Sequence, residues 1–282
     1  MKIAYKHLLQ FLDENPSEIE VSEKLFQLGH ENTIQNGIFD IEFTPNRGDC
    51  LSLYGLARDL NVFYTNKNNL KIMEDSINPL NLNFKNDSVE DCPNISFLNI
   101  HIEGEISPYK DYLNSFFEEL EVKKNNFFTD ISNYVAYEIG QPTHCYDFSK
   151  IGDLINFKNL KIEDKFHTLL DTEIELSGKN CVFISNEKVI NLAGVMGDKS
   201  TSCSKETNNV LIECAYFRPE SIIGKAIKYD INSDASYKFE RGVDPELQEF
   251  TLRRFIQIVS DHAKISRLSI YSKQFKNLKR KK

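Results

Sequence analysis

Apolar positions change their spacing several times along this chain, and each change predicts an element. Leu8, Leu9, Phe11 and Leu12 predict a first short helix that stops before Pro16. Ser17 followed by Glu20 has the form of a capping box. Leu25, Phe26 and Leu28 stripe the helix it opens, and Gly29 is its stop signal. Phe39, Ile41 and Phe43 alternate with Asp40 and Glu42, the pattern of a half-buried strand. TPNRGD at 44–49 reads as a turn, and CLSLYGLARDLNVFY at 50–64 as an amphipathic helix. Residues 1–64 are therefore expected to form a small α/β module. Residues 65–92, rich in Asn, Lys and Asp, read as a linker with one short strand near Leu82 and Phe84.

Residues 93–265 carry the main domain. Leu98, Ile100 and Ile102 alternate with Asn99, His101 and Glu103, a strand. Ser107-Pro108 is expected to open a helix striped by Tyr112, Phe116, Phe117 and Leu120. A second helix is expected at about 126–139. From 154 to 217 the spacing shortens to strands separated by turns such as SGKN and SNEK. Helices return at 219–229 and 244–262. Strands grouped between helices give an α+β fold class. Residues 266–282, ending in KNLKRKK, are expected to be a solvated basic tail.

Composition narrows the function. With 34 basic against 42 acidic residues the net charge is −8, which argues against binding nucleic acid by bulk charge. Any RNA contact must be local or supplied by a partner; Lys123-Lys124 and the tail are the obvious basic clusters. The six cysteines form no CxxC pair, and no His stands at zinc-ligand spacing from two of them. They read as reduced thiols of a cytoplasmic protein. No segment approaches the ~18 apolar residues of a membrane span, so no membrane partner is expected. No Gly-rich phosphate loop or nucleotide signature appears, so no cofactor is expected in this chain.

Four runs carry the candidate chemistry. SDASYKFERGVDP at 233–245 is too polar for core and too punctuated for a plain helix interior, so it reads as a loop shaped around a ligand. TDISNYVAYEIGQPTHCYD at 129–147 presents His144 just beyond Gly140-Gln141-Pro142. LAGVMGD occupies 192–198, and VLIECAYF at 210–217 holds Glu213 as its single charge. A buried carboxylate needs a partner or a task. The alternative is a solvent-facing position shared with Leu211 and Ala215. A lone His such as His144 is more often structural or simply exposed, and Gly197 reads as an ordinary turn glycine.

In their order along the chain, the four runs resemble the central editing module of the phenylalanyl-tRNA synthetase beta chain. IEFTPNRGDCLSLYGLARDL at 41–60 is similar to that chain's N-terminal module, and DCPN at 91–94 to the opening of the editing module. Most bacterial members insert an oligonucleotide-fold domain near residue 37; here the chain runs directly into the 38–43 strand. The resemblance implies a proofreading site for tyrosine wrongly attached to tRNA(Phe). An apolar pocket rejects an isostere bearing one added hydroxyl only about a hundredfold, so a second site must read that hydroxyl. Glu213 would accept its hydrogen bond, and His144 would position the ester or the attacking water. Lys123, Ser132, Asn133, Gly197, Ser233 and Ala235 would line the substrate site. Lys123 stands where bacterial members often carry Arg, and Asp198 where another glycine is usual. Glu240, Arg241 and Asp244 are expected to shape the pocket loop, with Asp244-Pro245 starting the last helix. Arg47 and Asp49 are expected to be structural, with contact to an alpha chain as the alternative. Further C-terminal modules of the family are expected to be missing. The implied partners are tRNA(Phe) and the alpha subunit, and ATP and Mg would serve the assembled ligase. A free-standing trans-editing hydrolase and a non-catalytic docking module are the alternatives.

Overall fold

The computed structural model describes residues 1–67 and 70–276. The chain opens with β1 (Lys2–Ala4), α1 (Tyr5–Leu8), α2 (Glu18–Gln27), β2 (Glu31–Gln35) and β3 (Ile38–Glu42). The capping box on α2 is formed, Ser17 N donating to Glu20 Oε2 at 2.6 Å and Glu20 N donating to Ser17 Oγ at 3.3 Å. β2 and β3 join through the two-residue turn Asn36-Gly37. β1, β3 and β2 make a three-stranded sheet, two strands more than the alternation alone predicted. α3 (Leu53–Leu60) closes this part.

β4 (Asn78–Pro79) and β5 (Phe84–Asn86) lie in the expected linker. Leu70, Met73 and Ile77 pack on one core and Leu80, Leu82 and Phe84 on another, so this stretch is tacked down along its length. β6 (Asn94–Glu103), α4 (Asp111–Glu119), α5 (Phe127–Ile139) and β7 (His144–Asp147) follow. Then come β8 (Ile155–Lys161), β9 (Asp164–His167), β10 (Glu173–Leu176), β11 (Lys179–Ser185), β12 (Lys188–Leu192), β13 (Met196–Gly197) and β14 (Asn209–Tyr216). The chain continues through α6 (Pro219–Ile222), α7 (Lys225–Lys228), α8 (Asp234–Arg241), α9 (Gln248–His262) and β15 (Lys264–Gln274). Helices and grouped strands make the fold α+β.

A central sheet of order β4-β15-β6-β14-β7 faces a second sheet of order β13-β12-β11-β8-β5. At β6 and β14 the central sheet is buried on both faces. Along β14, Val210, Ile212 and Cys214 enter one core, with α4, α5, α9 and the N-terminal elements. Leu211 and Ala215 enter the other, between the two sheets. Double burial explains why 210–217 reads as a nearly continuous apolar run.

Several expectations are corrected. Residues 266–274 of the expected tail instead belong to the long strand β15, paired antiparallel with β6. No position in it is fully buried, and its lysines and arginine hide it among charges. Only 277–282 of the expected tail lie outside the described residues. The first main-domain helix starts at Asp111 with Lys110 as its cap residue, while Ser107 N donates to the His262 carbonyl at 2.8 Å. The helix expected at 219–229 breaks at Gly224, which sits at φ 79°. The last helix begins at Gln248; Asp244 instead accepts Glu246 N in a turn before it. The 233–245 run is mostly helix, capped by Ser233 accepting Ser236 N. The Lys238 stem and Phe239 supply the buried face that pins it. Residues 1–64 are not a separate core: Ile3, Leu8, Leu56 and Leu60 join Phe116, Ile131 and Phe255 in one cluster.

Candidate active site

The site lies where the β7 edge of the central sheet meets β12 and β13 of the second sheet. A cavity of about 430 Å³ opens there, with α5 on one side and the start of α8 on the other. His144, Glu213, Gly197, Ser132, Asn133, Ser233 and Ala235 all line it. Their convergence from five elements follows from strand register. Glu213 on β14 lies directly opposite His144 on β7, so the two side chains share one face of the sheet. Asn191 on β12 lies opposite Gly197 on β13.

Glu213 is 4% exposed, so the solvent-facing alternative is excluded. Its Oε2 accepts from Tyr146 Oη at 2.8 Å and from Asn191 Nδ2 at 3.2 Å. Among the described residues, Oε1 takes no hydrogen bond from the protein. Burial pushes the carboxyl up to about 7, and the two donors pull partly against that shift. It is divided between acid and carboxylate near neutral pH.

His144 packs edge-on against Tyr146, ring centroids 4.4 Å apart. Its Nε2 is buried with no hydrogen-bond partner among the described residues. Burial lowers this imidazole to about 4, so it is neutral at physiological pH. A ring this weakly basic orients a water molecule better than it strips one of a proton. Gly197 has a role the sequence did not reveal. A Cβ there would overlap His144 Cε1 and stand 2.7 Å from Nε2. The missing side chain makes room for the imidazole.

The remaining expected residues divide. Ser132 Oγ reaches the Thr143 carbonyl and the Thr143 hydroxyl, both at 2.7 Å, and so fixes the segment that presents His144. Asn133 is exposed at the cavity wall. Ser233 caps α8, and Ala235 follows in its first turn. Lys123 is the exception: it is exposed and does not line the cavity. It lies before the Asn126 cap that starts α5, and no contact turns it inward. Asp198 needs no glycine-like backbone. Its φ of −83° is ordinary, and its Oδ1 accepts Ser200 N to cap the next turn.

Glu240 accepts Gly224 N, while Arg241 stacks 3.6 Å over the Tyr237 ring. Arg47 bridges Asp49 and Asp59, and His30 reaches Asp59 at 2.7 Å. Both sets shape the frame. Sequence reasoning missed Tyr146, Asn191 and Lys238. The signal available for Tyr146 was its alternation with His144 on one strand, which puts both on the same face.

The B3/4 domain family profile matches residues 96–264. The phenylalanine–tRNA ligase beta subunit of Photorhabdus laumondii is 32% identical over 239 residues, covering 81% of this chain and 29% of that protein. That of Acinetobacter baylyi is 29% identical over 273 residues, covering 91% of this chain and 32% of that protein. The chain thus spans about a third of the length of these relatives. Among solved structures, an N-terminal fragment of the phenylalanyl-tRNA synthetase beta-subunit from Pyrococcus horikoshii aligns with 94% of this chain and 74% of that one, at 14% identity and a TM-score of 0.43.

Proposed function

Because this chain belongs to the B3/4 domain family, we propose that its cavity hydrolyses aminoacyl-tRNA esters and selects tyrosine wrongly attached to tRNA(Phe). The observation that carries this reading is the pairing of Glu213 and His144 across one strand ladder into one cavity. An amino-acid ring entering the cavity along the wall lined by Phe217, Phe239 and Gly194 meets an apolar surface and then a buried acceptor. Only a phenol has a hydroxyl to donate there. From the neighbouring strand His144 holds a water against the ester carbonyl. Attack by that water releases the free amino acid and the tRNA hydroxyl.

In this reading the chain works as part of a ligase beta subunit in the cytoplasm, with an alpha subunit and tRNA(Phe) as partners. Hydrolysis uses no cofactor; ATP and magnesium belong to the assembled ligase. Single-turnover deacylation of tyrosyl- and phenylalanyl-tRNA tests the proposal. Glu213→Ala is expected to lower the tyrosine-to-phenylalanine rate ratio by roughly ten- to a hundredfold, the worth of a hydrogen bond to a charged group. His144→Ala is expected to slow both esters. An unchanged ratio would remove Glu213 as the reader. No hydrolysis by wild type, even with the alpha subunit added, would favour a docking role instead.

A further inference from the structure

The acceptor at the end of the cavity is not a lone carboxylate. Tyr146 is fully buried and belongs to the protein, yet its phenol already donates to Glu213 Oε2. Asn191 Nδ2 contacts both that carboxylate oxygen, at 3.2 Å, and Tyr146 Oη, at 2.9 Å. The carboxylate fixes the amide's orientation, since an amide oxygen turned toward it would be repelled. Asn191 therefore donates to Tyr146 Oη. With that oxygen accepting, the Tyr146 proton points at Glu213. The three side chains close a ring of donors around one carboxylate oxygen and leave the other for a ligand.

We propose that Tyr146 is a specificity-determining residue: its hydroxyl, oriented by Asn191, holds Glu213 as an acceptor and reserves Oε1 for an incoming phenol. The inference rests on the hydrolytic reading above. Without these donors, a carboxyl this buried would keep its proton and offer a hydroxyl of its own. Such a group discriminates poorly, because an acid can donate as well as accept. Among the described residues Tyr146 and Asn191 alone act on the carboxyl against its burial, although Lys199 and Asp234 also line the cavity. His144 and Cys145 on β7, Cys214 on β14 and Cys92 before β6 are the titratable neighbours, and burial favours the neutral form of each. Tyr146 also touches His144, so one side chain contacts both Glu213 and His144.

Tyr146→Phe keeps the ring and its packing and removes only the oxygen. Two readouts are needed on the whole chain. The first is titration of Glu213 followed by carboxyl carbon NMR or infrared difference, which does not depend on hydrolysis. The second is the tyrosine-to-phenylalanine ratio, taken from deacylation rates and from binding of non-hydrolysable 3′-amide tyrosyl- and phenylalanyl-adenosine. In wild type the ratio is expected to rise with pH as Glu213 ionises. In Tyr146→Phe the titration is expected to move to higher pH and the ratio to fall roughly tenfold at pH 7, recovering at higher pH. Asn191→Leu should move both readouts the same way, less strongly.

An unmoved titration would overturn the clamp. A moved titration with an unchanged ratio would overturn the specificity role. A ratio that improves in Tyr146→Phe would also overturn it, making Tyr146 a competitor for the acceptor. If wild type neither binds nor hydrolyses either probe, the hydrolytic reading fails, the specificity role falls with it, and the titration still decides the clamp.

Discussion

At the scale of single residues, Glu213 and His144 are displaced from their ordinary titration ranges in ways that oppose each other. Glu213 holds its proton more tightly in the fold than the ordinary value of 4.5, up to about 7. Its contribution is therefore most favourable at low pH and is lost as pH rises from about 4.5 to about 7. His144 is lowered from 6.5 to about 4. Its neutral form suits the fold, so its contribution to stability grows as pH climbs through that window. The carboxylate is thus a cost to the fold at neutral pH, retained where an acceptor faces a cavity. Glu213→Gln is expected to raise stability at pH 8 by up to about 3 kcal/mol, the size of the shift it removes. At pH 4.5 the change should be close to nil. Urea midpoints at the two pH values check this, and a variant no more stable at pH 8 than wild type would contradict it.

At the scale of elements, α5 carries two jobs on two faces. One face reaches the cavity through Ser132, Asn133 and Ala136. The other is locked to α9, where Arg254 donates to Glu138 through Nε at 2.7 Å and Nη2 at 2.8 Å. Tyr134 adds a third bond to Glu138 Oε1 at 2.8 Å. Breaking a buried pair from one side strands a charge, which costs about 3–5 kcal/mol. Arg254→Met should lose that much in equilibrium unfolding. Glu138→Met combined with Arg254→Met should recover most of it, because no charge is then left alone. A double variant as unstable as the single would mean the loss comes from packing.

The capped helix α2 and the hairpin of β2 and β3 depend on neighbours in sequence. By contrast α8 was hidden in a run that looked like a loop. It is short, polar on one side, and held by the burial of Lys238, which no local pattern marks.

At the scale of the whole molecule, residues 1–64 act as a buttress for the site. Lys238 is 2% exposed, and its Nζ donates to the Leu51 carbonyl at 2.8 Å and lies 3.4 Å from Asp234. It ties the N-terminal elements to the helix that lines the cavity. Gly48 lies against the end of the same helix; a Cβ there would stand 2.5 Å from the Gly242 carbonyl and 2.8 Å from that of Arg241. Ala4 N donates to Tyr137 Oη on α5 at 3.2 Å. With one shared core, unfolding should be a single transition, reported at one midpoint by probes in residues 1–64 and in the main domain. Lys238→Met should lower that midpoint for both probes together, by about 1–3 kcal/mol for the carbonyl left unpaired. Two separate transitions would show instead that the N-terminal elements fold on their own.

Periodicity, caps and turn residues act over a few positions, so the sequence by itself determined most helices and the grouping of strands. It also determined which residue types carry chemistry: one charge in an apolar run at Glu213, one imidazole after Gln141-Pro142-Thr143. Tertiary structure decided what these residues face. Strand pairing set His144 opposite Glu213, and sheet packing brought in Asn191. Only close approach revealed that Gly197 makes room for a ring, and only burial on both faces that Glu213 is charged at a cost. Lys123 shows the same limit in reverse, since a matching position in sequence did not bring it to the cavity. Burial, pairing register and hydrogen-bond partners belong to residues far apart along the chain, and no local pattern can specify them.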